Sequence, residues 1–568
     1  MIVGLLFATL MSQPLASQGT PWRDPGAPAI DSIFARYDRT SSPGCALGVF
    51  GGGRILYTRG YGMADLNQGI AIQPSTAFYI ASTSKQFAAA SIALAVEQGR
   101  INLDDPITRY VPELPPYAER ITVRHLVHHT SGLRDYLALW GMSGRSFADE
   151  IPEEVALDLI SRQLAADFPP GSKWSYSNSG YFLLGVVIKR ATGMSLRDFS
   201  QRHIFGPLGM TSTHWHDDNR TIVPRRAEGY QPNATGFEIV KTSFAAVGDG
   251  GLYTTVLDLA KWDDNFFGNR LGTRGQGLID ELTTPGTLSN GTSHGYGFGL
   301  FMRTYRGQPV VDHGGSFIGY RAQLMRFPGV RFSVAILCND YTAEPERMAE
   351  RVADLYLADR LGPKELAADV AKVAVAPAIL DRYVGRYEVA PGQLLTIRRK
   401  GDGLEGAAFG LTLPLGPVSD SEFVAPPLSG RLVFRGRPDG LTLTATGLGG
   451  EPVRQLPVAP VLDGNALRAY VGRFTSEELD SWITVSAIDA GLWLRARYDV
   501  WTLMEPIGPD AFVARGSRVE FVRGPKGVVV GFRLSTGRSA NLEFVRTVRP
   551  LRRAQFDRPG PPATGDRR

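Results

Sequence analysis

Two stretches in the last third of the chain are versions of one another, and that likeness limits what both can fold into. LDRYVGRY at 380–387 returns as LRAYVGRF at 467–474, EFVA at 422–425 as AFVA at 511–514, and FRG at 434–436 as FVRG at 521–524. Matches that keep their order through both copies mark one structural unit present twice. Beyond about residue 378 short β-like runs alternate with Gly and Pro turns, and helical patterning stops. The expectation is two related antiparallel β domains, closed into barrels because closure removes exposed strand edges. They are assigned to 379–460 and 461–550, after a linker at 363–378 and before a Pro/Arg-rich tail at 551–568 expected to be disordered.

The first 360 residues read differently. A chain of 568 residues is too long for one core, and residues 28–362 form a domain of their own. Cys45 to Phe50 and Arg54 to Tyr61 are β-like runs joined by Gly51-Gly52-Gly53, a hairpin pattern. Arg321 to Phe327 and Phe332 to Cys338 are two more, closed by a helix from Glu344 to Leu361. Between these ends lie helical segments, chief among them Ser82 to Gln98, Pro152 to Ala166 and Tyr181 to Ala191. Cys45 and Cys338 both fall inside β-like runs; buried free thiols are the default reading, with a single disulfide left open.

Charge and address exclude some partners. The net charge of +5 is partly concentrated in arginines at the C-terminal end, and no basic stripe interleaved with aromatics occurs elsewhere, so nucleic-acid binding is not expected. Residues 2–11, IVGLLFATLM, are too short to span a bilayer and read as the core of a signal peptide over 1–17, which implies export to the periplasm or medium and no stable membrane insertion.

Chemistry centres on Ser82-Thr83-Ser84-Lys85, the one S-x-x-K in the chain, at the start of an Ala-rich helix. Three residues apart on a helix is one turn, so Lys85 reaches the Ser82 hydroxyl, while the free N–H groups of the first turn favour developing negative charge. Phe87, Ala90, Ser91 and Leu94 are expected to form one buried side of that helix. A serine nucleophile also needs a base, an oxyanion hole and a substrate positioner. Lys85 and Tyr176 are the candidate bases, the N–H groups of Ser82 and Ser316 the oxyanion donors, and Asn178 and His313 the polar positioners. His125 with His129, and His214 with His216 and Asp217, have metal-like spacing but no third ligand and read as structural; Gly248 to Tyr253 lacks the Lys-Ser/Thr of a phosphate loop. No metal or cofactor is expected.

The order STSK, YSN (176–178), HGG (313–315), with the flanks ITVRHLVHHTSGL, GDGGLYTTVLDLAKW, GYGFGL and HGGSFIGYRA, resembles the penicillin-recognising serine hydrolases: class C β-lactamases, D-alanyl-D-alanine carboxypeptidases, related esterases and D-aminopeptidases. The resemblance covers about residues 30–360. It implies an α+β fold, an antiparallel sheet flanked by helices with an all-helical subdomain and the active site between them. Ser82 would be acylated, Lys85 and Tyr176 would move its proton, Asn178 would hold the substrate amide and the lysine, Gly315 would let an edge strand approach the substrate, and the Ser316 N–H would complete the oxyanion hole.

One departure stands out. Where β-lactamases and carboxypeptidases carry Lys-Thr-Gly this chain has His313-Gly314-Gly315, and a mostly neutral histidine argues against substrates held by a free carboxylate. A catalytic domain followed by two eight-stranded, lipocalin-like barrels is similar to D-aminopeptidases, in which a loop of the last barrel enters the active site. Asp499 and Glu505 lie in a candidate region for the acidic partner of a substrate ammonium. The expected function is therefore a D-aminopeptidase acting on small peptides or amides. An ester-cleaving relative is the alternative, a D,D-carboxypeptidase or β-lactamase comes after it, and a non-enzymatic sensor is last. α/β-Hydrolase chemistry is disfavoured.

Overall fold

The computed structural model describes residues 22–241, 243–363, 373–408, 411–425, 430–437, 440–445, 452–458 and 462–547. The signal segment at 1–17, most of the linker and the 551–568 tail lie outside the described residues. The first domain is built on a six-stranded antiparallel sheet: β1 (Cys45–Gly51), β2 (Arg54–Tyr61), β3 (Phe301–Tyr305), β4 (Gln308–Phe317), β5 (Tyr320–Phe327) and β6 (Phe332–Cys338), in the order β3-β4-β5-β6-β1-β2. The two ends of the domain thus interleave, with β1 paired to β6 from Cys45↔Cys338 to Gly51↔Phe332. That register sets the two cysteines opposite one another, and they are joined as a disulfide. The expectation of free thiols is corrected: directly opposed positions on antiparallel strands bring two side chains together that the sequence holds far apart.

One face of the sheet carries Ala27–Phe34 and Pro345–Tyr356; the other faces the helices of the site. At their centre is α1, Lys85–Glu97, in which every residue from Lys85 to Ala95 is buried. The expected single apolar side is corrected to burial all round, which small Ala side chains permit because neighbours approach from every direction. The short helix α2 (Tyr136–Met142) and the longer α3 (Asn178–Thr192) pack beside it, α3 ending at Gly193 in the left-handed conformation, φ +74°.

Two eight-stranded antiparallel barrels follow. The first runs from Gly385–Ala390 to Pro452–Arg454 and the second, fully closed, from Gly472–Ser476 to Ser539–Arg546. The first is nearly closed: its last strand is three residues long and starts with Pro452, which has no N–H to give, so the seam is the single bridge Tyr387↔Gln455. The sequence repeat is a repeat of core positions. Tyr383 packs on Phe434 at 4.1 Å and Tyr470 on Phe521 at 4.8 Å; Phe423 meets Phe434 edge-on at 5.8 Å and Phe512 meets Phe521 at 5.7 Å. Both interiors thus hold the same aromatic cluster, packed among aliphatic side chains.

The barrels differ in how they join the rest. The first has a separate apolar core, whereas the core of the second is continuous with that of the catalytic domain. Arg134, buried in the helical part, is gripped by Glu478 of the second barrel, by Asp167 at 3.3 Å and by Gln163 at 3.1 Å. Ser481 donates to the Ser143 carbonyl at 2.7 Å, and the Ala540 N–H to Asp167 at 2.9 Å.

Candidate active site

Ser82 lies on a 3-10 turn, Ala81–Ser84, that runs into α1 without a break. Ala81 has φ +46°, a conformation that costs a residue with a Cβ about 1 kcal/mol or more and that recurs where a reactive side chain must be aimed. Lys85 follows one turn later, fully buried. Its Nζ is 3.2 Å from Ser82 Oγ, 2.8 Å from Asn178 Oδ1 and 2.7 Å from the Asp249 carbonyl. A neutral amine has two N–H bonds, which those last two acceptors saturate, and the remaining lone pair then points at the serine.

The surroundings favour that state. Burial pushes the Lys85 ammonium down, to about 7; Asp249 and Asp135 oppose the shift and Arg538 adds to it. Asn178 cannot turn over, because its Nδ2 and its backbone N–H both donate to Asp135 Oδ2 at 2.8 Å. Asp135 is held in turn by capping α2, its Oδ1 accepting from Leu137 and Ala138 at 3.0 Å. The Asp249 carboxylate accepts from the Tyr136 phenol at 3.1 Å. Tyr176 is half-buried against Lys85 Nζ, 4.8 Å from its ring centroid. Burial raises its phenol above the usual tyrosine range, opposed by the Ser82 hydroxyl and Arg538.

His313, Gly315 and Ser316 lie on β4 and line the same cavity as Ser82, Tyr176 and Asn178, a space of about 1300 Å³. β4 is the second strand of the sheet and not its edge, but β3 begins at Phe301 opposite Asp312, so residues 313–317 are left uncovered on that side. Gly315 is needed for a different neighbour than expected: a Cβ there would stand 2.1 Å from the Ile80 carbonyl oxygen, so the residue lets the strand approach the nucleophile's turn. The His313 ring donates from Nδ1 to the Gly314 carbonyl at 2.6 Å and accepts at Nε2 from the Tyr296 hydroxyl at 3.1 Å. Burial, with the Lys85 charge second, lowers it to about 3. It is a neutral part of the cavity wall with both nitrogens engaged by the protein.

Other expectations resolve as follows. His129 accepts the Ser177 N–H at 3.1 Å and stacks 4.3 Å from Tyr176, while His125 Nδ1 accepts the Thr122 N–H in a capping box. Each is occupied with local structure. Asp499 pairs with Arg515 and Glu505 with Arg386, and neither lines the cavity, so neither is the acidic partner. Arg538 reaches it instead, from the second barrel. A G-x-S-x-G string at 291–295 lies on a loop and not on a strand-to-helix turn, so Ser293 is no nucleophile elbow. Asp135 and Asp249 carry no sequence signal of their own beyond sitting in or beside the HHTSGL and GDGGLY flanks, and nothing in the sequence points to Arg538.

With this geometry in place, likeness to known proteins is informative. The model of the Beta-lactamase family matches residues 30–358, more than half of the chain. The chain belongs to the beta-lactamase family. Within that family it is 30% identical to penicillin-binding protein 4* of Bacillus subtilis over 406 residues, covering 67% of this chain and 88% of that one. It is 28% identical to a D-aminopeptidase of Cereibacter sphaeroides over 532 residues, 89% of this chain and 96% of the relative, so this match runs on through the barrel half. An octameric penicillin-binding protein homologue from Pyrococcus abyssi shares the fold, with a TM-score of 0.52 at 24% identity over 73% of this chain and 96% of its own. The protein is a serine hydrolase of this family.

Proposed function

We propose that this hydrolase is a D-aminopeptidase, releasing an N-terminal D-residue from short peptides or amides through an acyl-enzyme on Ser82. The observation that carries the chemistry is the position of Lys85 Nζ, with two acceptors for its protons and Ser82 Oγ for its lone pair. Lys85 takes the serine proton as Oγ attacks the carbonyl carbon. The N–H groups of Ser82 and Ser316 receive the developing oxyanion. Tyr176, whose phenol is held neutral by burial, hands a proton to the departing amine. Water then cleaves the acyl-enzyme by the reverse route. The choice of an aminopeptidase rests on the likeness to D-aminopeptidases that extends through both barrels.

Action outside the cytoplasm is part of the proposal. The disulfide between Cys45 and Cys338 and the apolar stretch at 2–11 both favour it. The deciding assay compares release from D-alanine and L-alanine p-nitroanilides, short-chain p-nitrophenyl esters and a chromogenic cephalosporin, for the wild type and Ser82→Ala. Preferential release from the D-anilide, abolished by the substitution, is expected. Ester turnover with no amide turnover would replace the aminopeptidase with an esterase.

A further inference from the structure

The second barrel delivers a cation to the reaction centre. Its last two strands, Val529–Thr536 and Ser539–Arg546, are joined by the two-residue turn Gly537-Arg538, and Arg538 is exposed into the cavity that Ser82 lines. The turn is tied in place: the Asp135 N–H donates to Ser539 Oγ at 3.1 Å and to the Arg538 carbonyl at 3.2 Å. Asp135 is also the residue that fixes Asn178, so the hairpin is anchored on a residue two hydrogen bonds from Lys85. The Arg538 guanidinium sits over the Tyr176 ring, 5.1 Å from its centroid.

No carboxylate among the described residues forms an ion pair with it. The nearby acids are occupied, Asp135 by Asn178 and the start of α2, and Asp249 by Tyr136. The other arginines on the cavity are engaged within their own surroundings, Arg303 with Asp312, Arg321 with the Ile318 and Tyr320 carbonyls, and Arg347 with Glu344 at 3.3 Å. A planar guanidinium with donors to spare is the side chain best suited to hold a carboxylate on two bonds.

The geometry points to Arg538 as a specificity residue that binds the free α-carboxylate of the departing residue, making dipeptides the preferred substrates. Building on the aminopeptidase reading, Tyr176 protonates the departing nitrogen, and in an amino acid the carboxylate is attached to the carbon next to that nitrogen. A cation stacked on the Tyr176 ring is therefore beside the place where the carboxylate arrives. It also changes what the missing Lys-Thr-Gly lysine means. His313 leaves the strand without a cation, and the barrel supplies one over Tyr176, whose ring lies 6.1 Å from that of His313.

The test measures kcat/KM on D-Ala-Gly against D-Ala-Gly amide, and on the ester pair D-alanyl-glycolate against its methyl ester, for the wild type, Arg538→Lys, Arg538→Gln and Arg538→Glu. The free acids are expected to be favoured about tenfold, as one charge-assisted hydrogen bond gives at a partly exposed site. The preference should reside mainly in KM, persist in part with lysine, vanish with glutamine and reverse with glutamate. Equal turnover of acid and blocked substrate by the wild type overturns the proposal, as does a preference that Arg538→Glu leaves unchanged. Failure to cleave either peptide, with both esters cleaved, would refute the aminopeptidase reading alone, because the ester pair still reports on Arg538.

Discussion

At the scale of single residues the decisive quantity is the protonation of Lys85. Burial moves its pKa down to about 7, so the neutral amine gains population as pH rises through that value. We expect kcat/KM to climb along an acid limb near pH 7, read from a pH–rate profile. His313 is neutral from about pH 3 upward, so His313→Gln should leave that limb where it is; a limb displaced by the substitution would assign it to the histidine. Gly315→Ala would drive a methyl group into the Ile80 carbonyl. An overpacked core site costs about 1–3 kcal/mol, and the shift of the nucleophile's turn should reduce kcat more than it raises KM, measured by thermal unfolding together with steady-state kinetics.

The contact between Lys85 and Ser82 was legible at this scale because S-x-x-K spacing is a property of one helical turn. Their supports were not: Asp135 and Asp249 act through a shared contact with Lys85 and Asn178 that only folding creates.

Among the structural elements, the contact that matters most is the docking of the second barrel on the helical part. Arg134 and Glu478 are both buried and pair across it. Glu478→Ala removes one of the two carboxylates on the buried Arg134 guanidinium and leaves Asp167 at 3.3 Å, so the cost should fall below the about 3–5 kcal/mol of a fully orphaned buried charge. The expected result is a lower unfolding temperature and faster proteolysis between the catalytic domain and the barrel. The repeat foretold both barrels because each copy carries the same core aromatics. It could not foretell their unequal fates, since Glu478 lies between the matched positions and Arg538 beyond the last of them, where the sequence repeat gives no guide.

For the molecule as a whole, two long-range links set the response. The Cys45–Cys338 disulfide closes a loop of 293 residues, nearly the whole catalytic domain. Replacing both cysteines with serine should lower its stability by about 2–5 kcal/mol, seen as a drop in Tm that matches the effect of reductant on the wild type. Deleting 462–568 removes the hairpin from the cavity and should widen acceptance from dipeptides to longer chains, measured by comparing D-alanyl peptides of increasing length. Unchanged size selectivity in a folded truncation would refute a barrel contribution.

The sequence alone determined whatever is local or repeated: the serine–lysine turn, the Tyr-Ser-Asn segment entering α3 and the doubled barrel. The tertiary structure decided what depends on distance through space. It joined the two cysteines, buried α1 on every side, closed both nitrogens of His313 and placed Arg538 over Tyr176. The physical reason is that spacing along the chain fixes neighbours only within a helical turn or a hairpin, whereas burial, protonation and charge pairing depend on which distant segments pack against a residue.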